Sequence, residues 1–486
     1  MGLLIVLVVG AWIVAAVAGA VMAMASPETK ARLSQGWRTL TRSVLGRLSL
    51  VMLTGMVLLV PLEMVDELRR ERGYRLAEVQ SEIGEQWGRA QTVTGPVLWV
   101  PVMERWTERV QKTDDAGKTV VTESPREVRH IFAVLPEHLD LKTQIDPRSL
   151  SRGLYDVLVY DATVTLQTTF RRPEFPAPAG RTRHPQWDEA KLFIGLSDLS
   201  AVSGVDELVW NGEHLRPNSG SLAEQGEYFG ISGRIEAFDE DEASATVRLK
   251  LRGMGSIYAT ALGETSNIEM AGAWPSPSFG GFTLPADRDV AEDRFVGQWS
   301  IPGVARPTPQ VIELEGTALQ PLRTHHVGVT LVEPASPYAS AERAITYGML
   351  VIGLCLLTFL VLERGMKLEL HPVQWLVNGL ALVVFYLILL AASEHSGFHL
   401  AYSGAAAVTV SLISGYTFVA TRAIGASATV FGSLSLLYLA LYAMLRSEDY
   451  SLLTGTMLVV GALIGIMWVT RRMATESESA SEPEVA

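Results

Sequence analysis

Seven apolar runs, each long enough to cross a bilayer, constrain this chain more than any other feature. A transmembrane helix needs about 20 mainly apolar residues. The runs lie near residues 3–25, 45–65, 344–362, 373–392, 399–419, 424–445 and 452–470. Two of them precede a long polar segment, 66–343, and five follow it. We therefore expect a polytopic α-helical membrane protein with a two-plus-five arrangement of helices and one large soluble domain.

The polar segment carries the whole net charge. Residues 66–343 contain 29 Lys+Arg and 41 Asp+Glu, against 40 and 52 in the full chain, which leaves 11 of each elsewhere. The formal net charge of −12 therefore belongs to this segment. An acidic domain is repelled by nucleic acid and by anionic lipid, so we expect no nucleic-acid partner.

Basic residues in the short loops predict the orientation, because cytoplasmic loops are enriched in Lys and Arg. One set of alternate loops holds ten basic residues, and the opposite set holds only Arg446. The ten are Lys30, Arg32, Arg38, Arg42, Arg47, Arg364, Lys367, Arg422, Arg471 and Arg472. This places 26–47 and the acidic tail 471–486, which we expect to be disordered, in the cytoplasm. The N-terminus and residues 66–343 then lie outside.

The first run, within 1–25, has a second interpretation. Ala23-Met24-Ala25 is an A-x-A cleavage pattern typical of a signal peptide. However, no basic residue precedes the run and several follow it, which favours a retained helix. Cleavage would also leave the basic loop 26–47 on the outside.

The outer segment changes character along its length. Residues 67–88 have helical spacing and predict a stalk that continues the second span. From Thr92 onward, β-branched, aromatic and alternating stretches predict strands, for example at 97–102, 130–135, 156–160, 162–170 and 245–251. Turn-forming clusters separate them. We expect a β-rich extracytoplasmic domain built as one large sandwich or two smaller ones.

Sequence motifs for catalysis or cofactor binding are absent. There is no G-x-S-x-G, H-E-x-x-H, Walker loop or G-x-G-x-x-G, so we expect no enzyme activity and no cofactor. The single cysteine, Cys355, precludes an internal disulfide. The acidic run 239–242 lacks calcium-loop spacing, and we interpret it as a solvated hairpin tip. Adjacent His325 and His326 would point to opposite faces of a strand, which argues against a shared metal.

The last five apolar runs contain no charged residue. Proton-coupled transporters usually carry an ionisable group inside the membrane, so this class is disfavoured. Transport through unwound backbone stays open. Gly461 and Gly465 form a G-x-x-x-G pattern that lets a neighbouring helix approach closely. We interpret the pair as packing within the bundle, with a dimer seam as the alternative; the oligomeric state is open.

One predicted loop, 393–399, combines a carboxylate with an imidazole. Glu394 and His395 would lie at the outer surface of the cytoplasmic membrane. There they would form an acid–base pair, a pH-sensitive contact or simply a polar turn. Trp274-Pro275-Ser276-Pro277 predicts a rigid loop with a buried indole. If that loop lay beside Glu394 and His395, the five residues Glu394, His395, Trp274, Pro275 and Pro277 would form a candidate cleft.

Four sets of residues resemble the CreD family of bacterial inner-membrane proteins, in order over roughly 45–470. They are Glu71-Arg72-Gly73-Tyr74-Arg75 with Thr94-Gly95-Pro96-Val97; Trp274-Pro275-Ser276-Pro277-Ser278-Phe279 with Leu284-Pro285; Arg343-Ala344 with Tyr347; and His371-Pro372 with Phe385-Tyr386 and Ser393-Glu394-His395-Ser396-Gly397-Phe398. The family usually begins near the second span, so residues 1–44 and the acidic tail look like additions.

The resemblance implies a role in envelope integrity or stress response, with no assigned activity, substrate or cofactor. Three hypotheses follow. The first is a non-enzymatic protein that senses or scaffolds partners, in the periplasm or the membrane, through its outer domain. The second is a transporter or lipid-handling protein that uses the bundle 344–470. The third is a hydrolase at the membrane edge that uses Glu394 and His395. The expected partners are the lipid bilayer and periplasmic or membrane proteins.

Overall fold

The computed structural model describes two compact units. It covers residues 44–113, 119–221, 229–305, 308–314, 325–333, 337–365 and 372–446, together with 453, 455–457, 459–461, 464 and 467. The β unit is Leu76–Pro334, and the membrane unit is the remainder. The predicted first span, most of the basic loop 26–47, the acidic tail and Gly465 lie outside the described residues.

Helices form the membrane unit. They are α1 (Val44–Trp87), α2 (Pro337–Thr346), α3 (Gly348–Gly365), α4 (Pro372–Thr421) and α5 (Ile424–Arg446). Three of them, α1, α4 and α5, are long and apolar enough to cross a membrane, and α2 with α3, bent by 45°, makes a fourth candidate. The last part of α1, from Leu76, belongs to the β unit.

Helix α4 is two helices that meet at Gly397, where φ is 73° and ψ is 160°. We call 372–396 α4a and 398–421 α4b. The rings of Phe385 and Tyr402 lie 5.4 Å apart, whereas one continuous helix would separate these residues by about 25 Å. The chain therefore turns back at Gly397, and α4 has the length for two spans.

Five of the seven predicted runs are thus helical, at 45–65, 344–362, 373–392, 399–419 and 424–445. The count of seven is not confirmed. The first run lies outside the described residues, and only scattered helical positions of the last run, including Gly461, lie within them.

The membrane unit has its own core, which includes Leu58, Leu382, Phe385 and Leu441, all fully buried. Gly379 allows α4a to approach α1 closely, because a Cβ at that position would collide with Leu58. Close backbone approach and packing are what hold helices together where lipid surrounds them.

Among the residues that the structure describes, eighteen strands form the two sheets of the β unit. Sheet A has the order β14-β18-β12-β1-β6-β10-β9, with β2 and β5 on β1 and β17 on β2; sheet B has the order β15-β16-β13-β3-β4-β11-β7-β8. The strands are β1 (Gln91–Thr113), β2 (Thr119–Val134), β3 (His138–Arg152), β4 (Tyr155–Arg171), β5 (Arg181–Pro185), β6 (Lys191–Leu196), β7 (Val202–Trp210), β8 (Glu213–His214), β9 (Asn218–Ser221), β10 (Phe229–Arg234), β11 (Glu242–Met254), β12 (Ser256–Thr260), β13 (Thr265–Gly272), β14 (Pro277–Gly281), β15 (Asp287–Val290), β16 (Phe295–Pro302), β17 (Val311–Glu313) and β18 (His326–Leu331).

The two sheets share one apolar core, so the β unit is a single large sandwich. Leu98 and Val100 of sheet A are buried in the same cluster as Leu141 and Val164 of sheet B. Alternate residues of β3 and β11 are buried and exposed, as a sheet with one solvated face requires. The predicted β-rich domain is confirmed. Most pairings are antiparallel, but β1 pairs with β12 and β3 with β13 in parallel.

Two local predictions need correction. The acidic run 239–242 is exposed, but it connects β10 of sheet A to β11 of sheet B and is not a hairpin tip. Gly95-Pro96 has the residue types of a turn before a strand, but it contains a cis peptide bond inside β1, at an irregularity in the pairing with β6.

The end of α1 packs on sheet B and is part of the β unit. Ile83 is buried with Val157 and Val159 of β4. The Trp87 ring contacts the guanidinium groups of Arg148 and Arg252, whose Cζ atoms lie 4.2 and 4.3 Å from its centroid. The predicted stalk is therefore helical, but its last turns dock on the domain that follows.

Candidate functional site

Glu394 lies on a helix rather than in the predicted loop. Residues 393–396 form the last turn of α4a, where the hydroxyls of Ser393 and Ser396 donate to the carbonyls of Leu390 and Ala392. Gly397 then ends the helix in a left-handed conformation, which glycine adopts at no steric cost. The sequence Ser393–Ser396 contains no helix breaker, so the polar turn begins only at the glycine.

The Glu394 carboxylate holds three helices together. It accepts a hydrogen bond from the Tyr338 hydroxyl of α2 at 3.1 Å, and the Arg72 Nε of α1 lies 3.7 Å away. The Glu394 side chain is only 8% exposed. A buried carboxylate without such partners would be strongly unfavourable, so Tyr338 and Arg72 stabilise Glu394 at this position.

A second set of ion pairs lies beside this contact on the same helices. Arg69 of α1 donates to Asp66 at 2.7 Å and to Glu342 of α2 at 3.1 Å. We call Asp66, Arg69, Arg72, Tyr338, Glu342 and Glu394 the Glu394 cluster. Its charges are paired with one another across α1, α2 and α4a, which makes it a structural clamp at this end of the membrane unit.

His395 does not share the partners of Glu394. Successive helix residues point about 100° apart. The exposed His395 places its Nδ1 3.3 Å from the Ala391 carbonyl oxygen. The ring that does reach across the bundle is that of His399, whose Nδ1 lies 3.0 Å from the Tyr442 hydroxyl of α5. A direct Glu394–His395 acid–base pair is therefore not part of the described geometry.

The Trp274 loop (residues 274–277) is hydrogen-bonded to the edge of sheet A. The Trp274 Nε1 donates to the Val332 carbonyl oxygen at 2.9 Å, and the Val332 amide donates to the Ser276 carbonyl at 3.2 Å. Pro277 begins β14, and Pro275 is exposed. The half-buried indole packs against the sandwich core, as a rigid loop would require. Trp274 belongs to the β unit and Glu394 to the membrane unit, so their convergence in one cleft stays a prediction.

A buried ionic cluster inside the β unit was not predicted. The Glu104 side chain of β1 is 1% exposed and accepts from Arg181 at 2.6 Å and Arg183 at 2.7 Å, both on β5. Hydrogen bonds from Arg181 and then Arg183 hold the pKa of Glu104 below its ordinary value. His130 of β2 places its Nδ1 2.6 Å from Glu313 of β17. The sequence signal was weak, because Glu104 follows the apolar stretch 97–103 but is itself followed by the charged residues Arg105 and Glu108.

Metal chemistry finds no support among the described residues, which include no group of three or more His, Cys, Asp or Glu able to hold an ion. His325 contacts the ring of Phe282 and His326 that of Tyr258, so the two imidazoles have separate surroundings. Cys355 is buried in the core of the membrane unit.

An open groove of about 480 Å³ runs between α4b and α5. Its lining combines small and aromatic residues, including Ala406, Ser435 and Tyr442. The Tyr402 hydroxyl, at the same groove, donates to the Tyr438 carbonyl oxygen at 2.7 Å. A groove with apolar walls and a few hydroxyl groups can hold an acyl or isoprenoid chain.

Comparison with known proteins gives one consistent family. The family described as "Inner membrane protein CreD" matches residues 43–475. "Inner membrane protein CreD" of Escherichia coli (strain K12) is 31% identical over 428 residues, which cover 86% of this chain and 90% of the relative. One solved structure, "Structure of Native Leukotriene A4 Hydrolase from Saccharomyces cerevisiae", matches with a TM-score of 0.19 and 12% identity, over 41% of this chain and 29% of that chain. A likeness at that level carries no argument.

Proposed function

Because the chain belongs to the CreD family and is thus a multi-pass inner membrane protein, we propose that its β unit faces the periplasm and serves envelope integrity. In this proposal the protein is not an enzyme. The β unit senses an envelope component or scaffolds a partner, and the membrane unit anchors it and responds. In the stress response the protein acts as a sensor, and its signal passes along the chain from the β unit to the membrane unit.

The observation that carries this proposal is the continuity of α1. This helix runs unbroken for 44 residues, from Val44 to Trp87. Its first part is packed in the core of the membrane unit through Leu58, and its last part is packed on sheet B through Ile83. A helix whose two ends pack in different units is an element whose state both units can bias, as transmission of a signal requires.

Breaking α1 tests this role. Four glycines inserted after Tyr74, which is 76% exposed, should interrupt the helix, whereas four alanines at the same place keep it helical. We expect the glycine variant to lose complementation of a deletion strain under envelope stress, while the alanine variant retains most of it. Equal complementation by both variants would refute transmission through α1.

Orientation and partners are tested separately. The chain has one cysteine, Cys355, which is buried; after Cys355→Ser, a new cysteine at exposed Gly180 or Glu213 should react with a membrane-impermeant maleimide in intact spheroplasts. Labelling only after lysis would place the β unit in the cytoplasm and refute the proposed orientation. Photocrosslinking from the β unit in living cells should capture an envelope component, and repeated failure to capture one would count against scaffolding.

The groove between α4b and α5 favours lipid handling as the second candidate. Ser435→Phe would fill the groove, whereas Ser433→Phe adds the same ring to the same helix at a position that does not line it. If lipid handling is the function, only Ser435→Phe should abolish complementation. Replacing 344–470 with an unrelated anchor should also abolish lipid handling, so full complementation after this replacement would refute the second candidate.

The hydrolase hypothesis has less support, because Glu394 and His395 have separate partners. Its test is the pair Glu394→Gln and His395→Ala. Retention of the phenotype by both variants dismisses that site.

A further inference from the structure

The solvent face of sheet B carries an ordered lattice of polar side chains. Strand register aligns Gln167, Asp140, Asn267 and Ser300 in one row across β4, β3, β13 and β16. The next row, two residues along, contains Lys142, Glu269, Gln298 and Asp287, and ends on β15. These eight residues line an open groove of about 490 Å³.

The floor of the groove is rigid. Between the polar positions, Leu141, Ile268 and Trp299 point the other way and are 1–2% exposed in the sandwich core. A side chain on such strands is held in place by the packing below it, and sites built on strands are more precise than sites on loops. The spacing of the rows and columns is therefore fixed by the sheet itself.

Hydrogen bonds within the lattice orient its groups. Asn267 Nδ2 donates to Asp140 at 2.9 Å, Ser300 donates to the Asn267 side-chain oxygen at 3.2 Å, and Gln298 donates to Glu269 at 2.8 Å. Each of these hydrogen bonds uses only one of the donors or acceptors that the group has. A side-chain amide has two N–H donors and an acceptor oxygen, and a carboxylate has two acceptor oxygens. The remaining donors and acceptors alternate over the surface of the groove.

This alternation selects the ligand chemistry. Sugar hydroxyl groups both donate and accept, so they pair with interleaved amides, carboxylates and an ammonium group. A purely basic peptide would use only the hydrogen-bond acceptors of this face and leave its donors unused. An acyl chain could not replace the hydrogen bonds to water that these polar groups would lose. Three acidic residues, Asp140, Glu269 and Asp287, outweigh Lys142 and disfavour an acidic ligand.

We propose that this face of sheet B is a binding site for a glycan chain without acidic groups. The volume lies within the range of about 300–1,000 Å³ found for small-molecule sites. The proposal rests on the proposed function in one respect: an envelope glycan reaches the groove in cells only if the β unit is outside.

Calorimetry on the detergent-purified full-length protein tests the site independently of orientation. The probes are chitotetraose, the acidic tetragalacturonate and the basic peptide tetralysine. Chitotetraose should bind saturably, and tetragalacturonate should not. Asn267→Ala and Gln298→Ala should each weaken binding about five- to tenfold, the effect of losing a neutral hydrogen bond.

The control is Gln144→Ala, which removes an exposed amide from the same face of β3 outside the groove. It should leave the affinity unchanged, and equal thermal unfolding of all three variants confirms that each is folded. Two results would overturn the proposal: no saturable binding of chitotetraose, or binding of tetralysine alone, which would make the face an acidic patch. Either result leaves the labelling test of the proposed function standing.

Discussion

Trp87 should hold the end of α1 on the β unit, and Trp87→Ala is the sharpest test of that attachment. The half-buried indole lies against Arg148 and Arg252, and both arginines also reach Asp161, at 3.0 and 3.7 Å. Its Nε1 donates to the Tyr160 carbonyl oxygen at a long 3.4 Å. Alanine removes all of these contacts at once and leaves Ile83 as the main buried anchor of this turn.

The magnitude follows from the contacts. Truncating a fully buried tryptophan costs about 3–5 kcal/mol, and a half-buried ring should cost about half of that. Two cation–π contacts at partly exposed positions add about 0.5–1 kcal/mol each. The total is about 3 kcal/mol, and each 1.4 kcal/mol is a factor of ten. The local opening of 76–87 should therefore become roughly 100-fold more frequent.

Hydrogen exchange measures this opening directly, because amide exchange reports the free energy of local unfolding. The amides of 76–87 should exchange faster in Trp87→Ala, while those of β4 and β11 keep their rates. Trp87→Phe should show a smaller effect, since it keeps a ring between the arginines. Trp106→Ala, which removes another ring stacked on an arginine, is the matched control. Unchanged exchange of 76–87 in Trp87→Ala would refute the attachment.

Three further predictions concern other contacts. Tyr338→Phe removes the hydrogen bond to the Glu394 carboxylate and should destabilise the membrane unit by about 1.5–3 kcal/mol, seen as a lower Tm in detergent; Thr358→Val, within a single helix, should have less effect. Gly253→Ala would place a Cβ against the Tyr160 hydroxyl, which donates to the Ser256 carbonyl, and should cost about 1–3 kcal/mol; Gly204→Ala, whose Cβ would meet only ordinary van der Waals contacts, should cost less. Because the pKa of Glu104 is lowered, its stabilisation is present above the ordinary value of 4.5 and is lost as pH falls below it. The Tm of wild type should therefore fall on acidification more than that of Glu104→Gln; equal slopes would contradict this.

The sequence predicted the elements better than it predicted their contacts. Apolar runs and alternation depend on neighbouring residues, so the helices at 344–362 and 424–445 and the strands at 97–102 and 245–251 were predictable. The prediction of a loop over 393–399 was wrong for 393–396, because polarity alone does not end a helix; Gly397 does. Sequence alone could not reveal that Glu394 meets Tyr338, because the two residues are 56 positions apart.

The same limit applies to the sheets. Glu104 and Arg183 are 79 residues apart, so the ionic cluster in the core depends on the pairing of β1 with β5. The two parallel pairings could not be predicted either, because the sequence shows no helical crossover of the kind that usually joins parallel strands. Predicting the polar lattice on sheet B would have required the register of five strands at once. The alternation of apolar and polar residues predicts each strand separately but not how the strands align.

The parallel pairings also set the order in which the β unit can be made. Gln91 pairs with Ile257, 166 residues later, and His138 pairs with Thr265, 127 residues later. At about 5–20 residues per second, a growing chain waits roughly 10–30 s between completing β1 and completing its partner. During that interval Gln91–Val93 of β1 and one edge of β3 lack their partners, and open strand edges are prone to aggregation. Variants that slow translation before β12 lengthen the interval and should accumulate as misfolded protein.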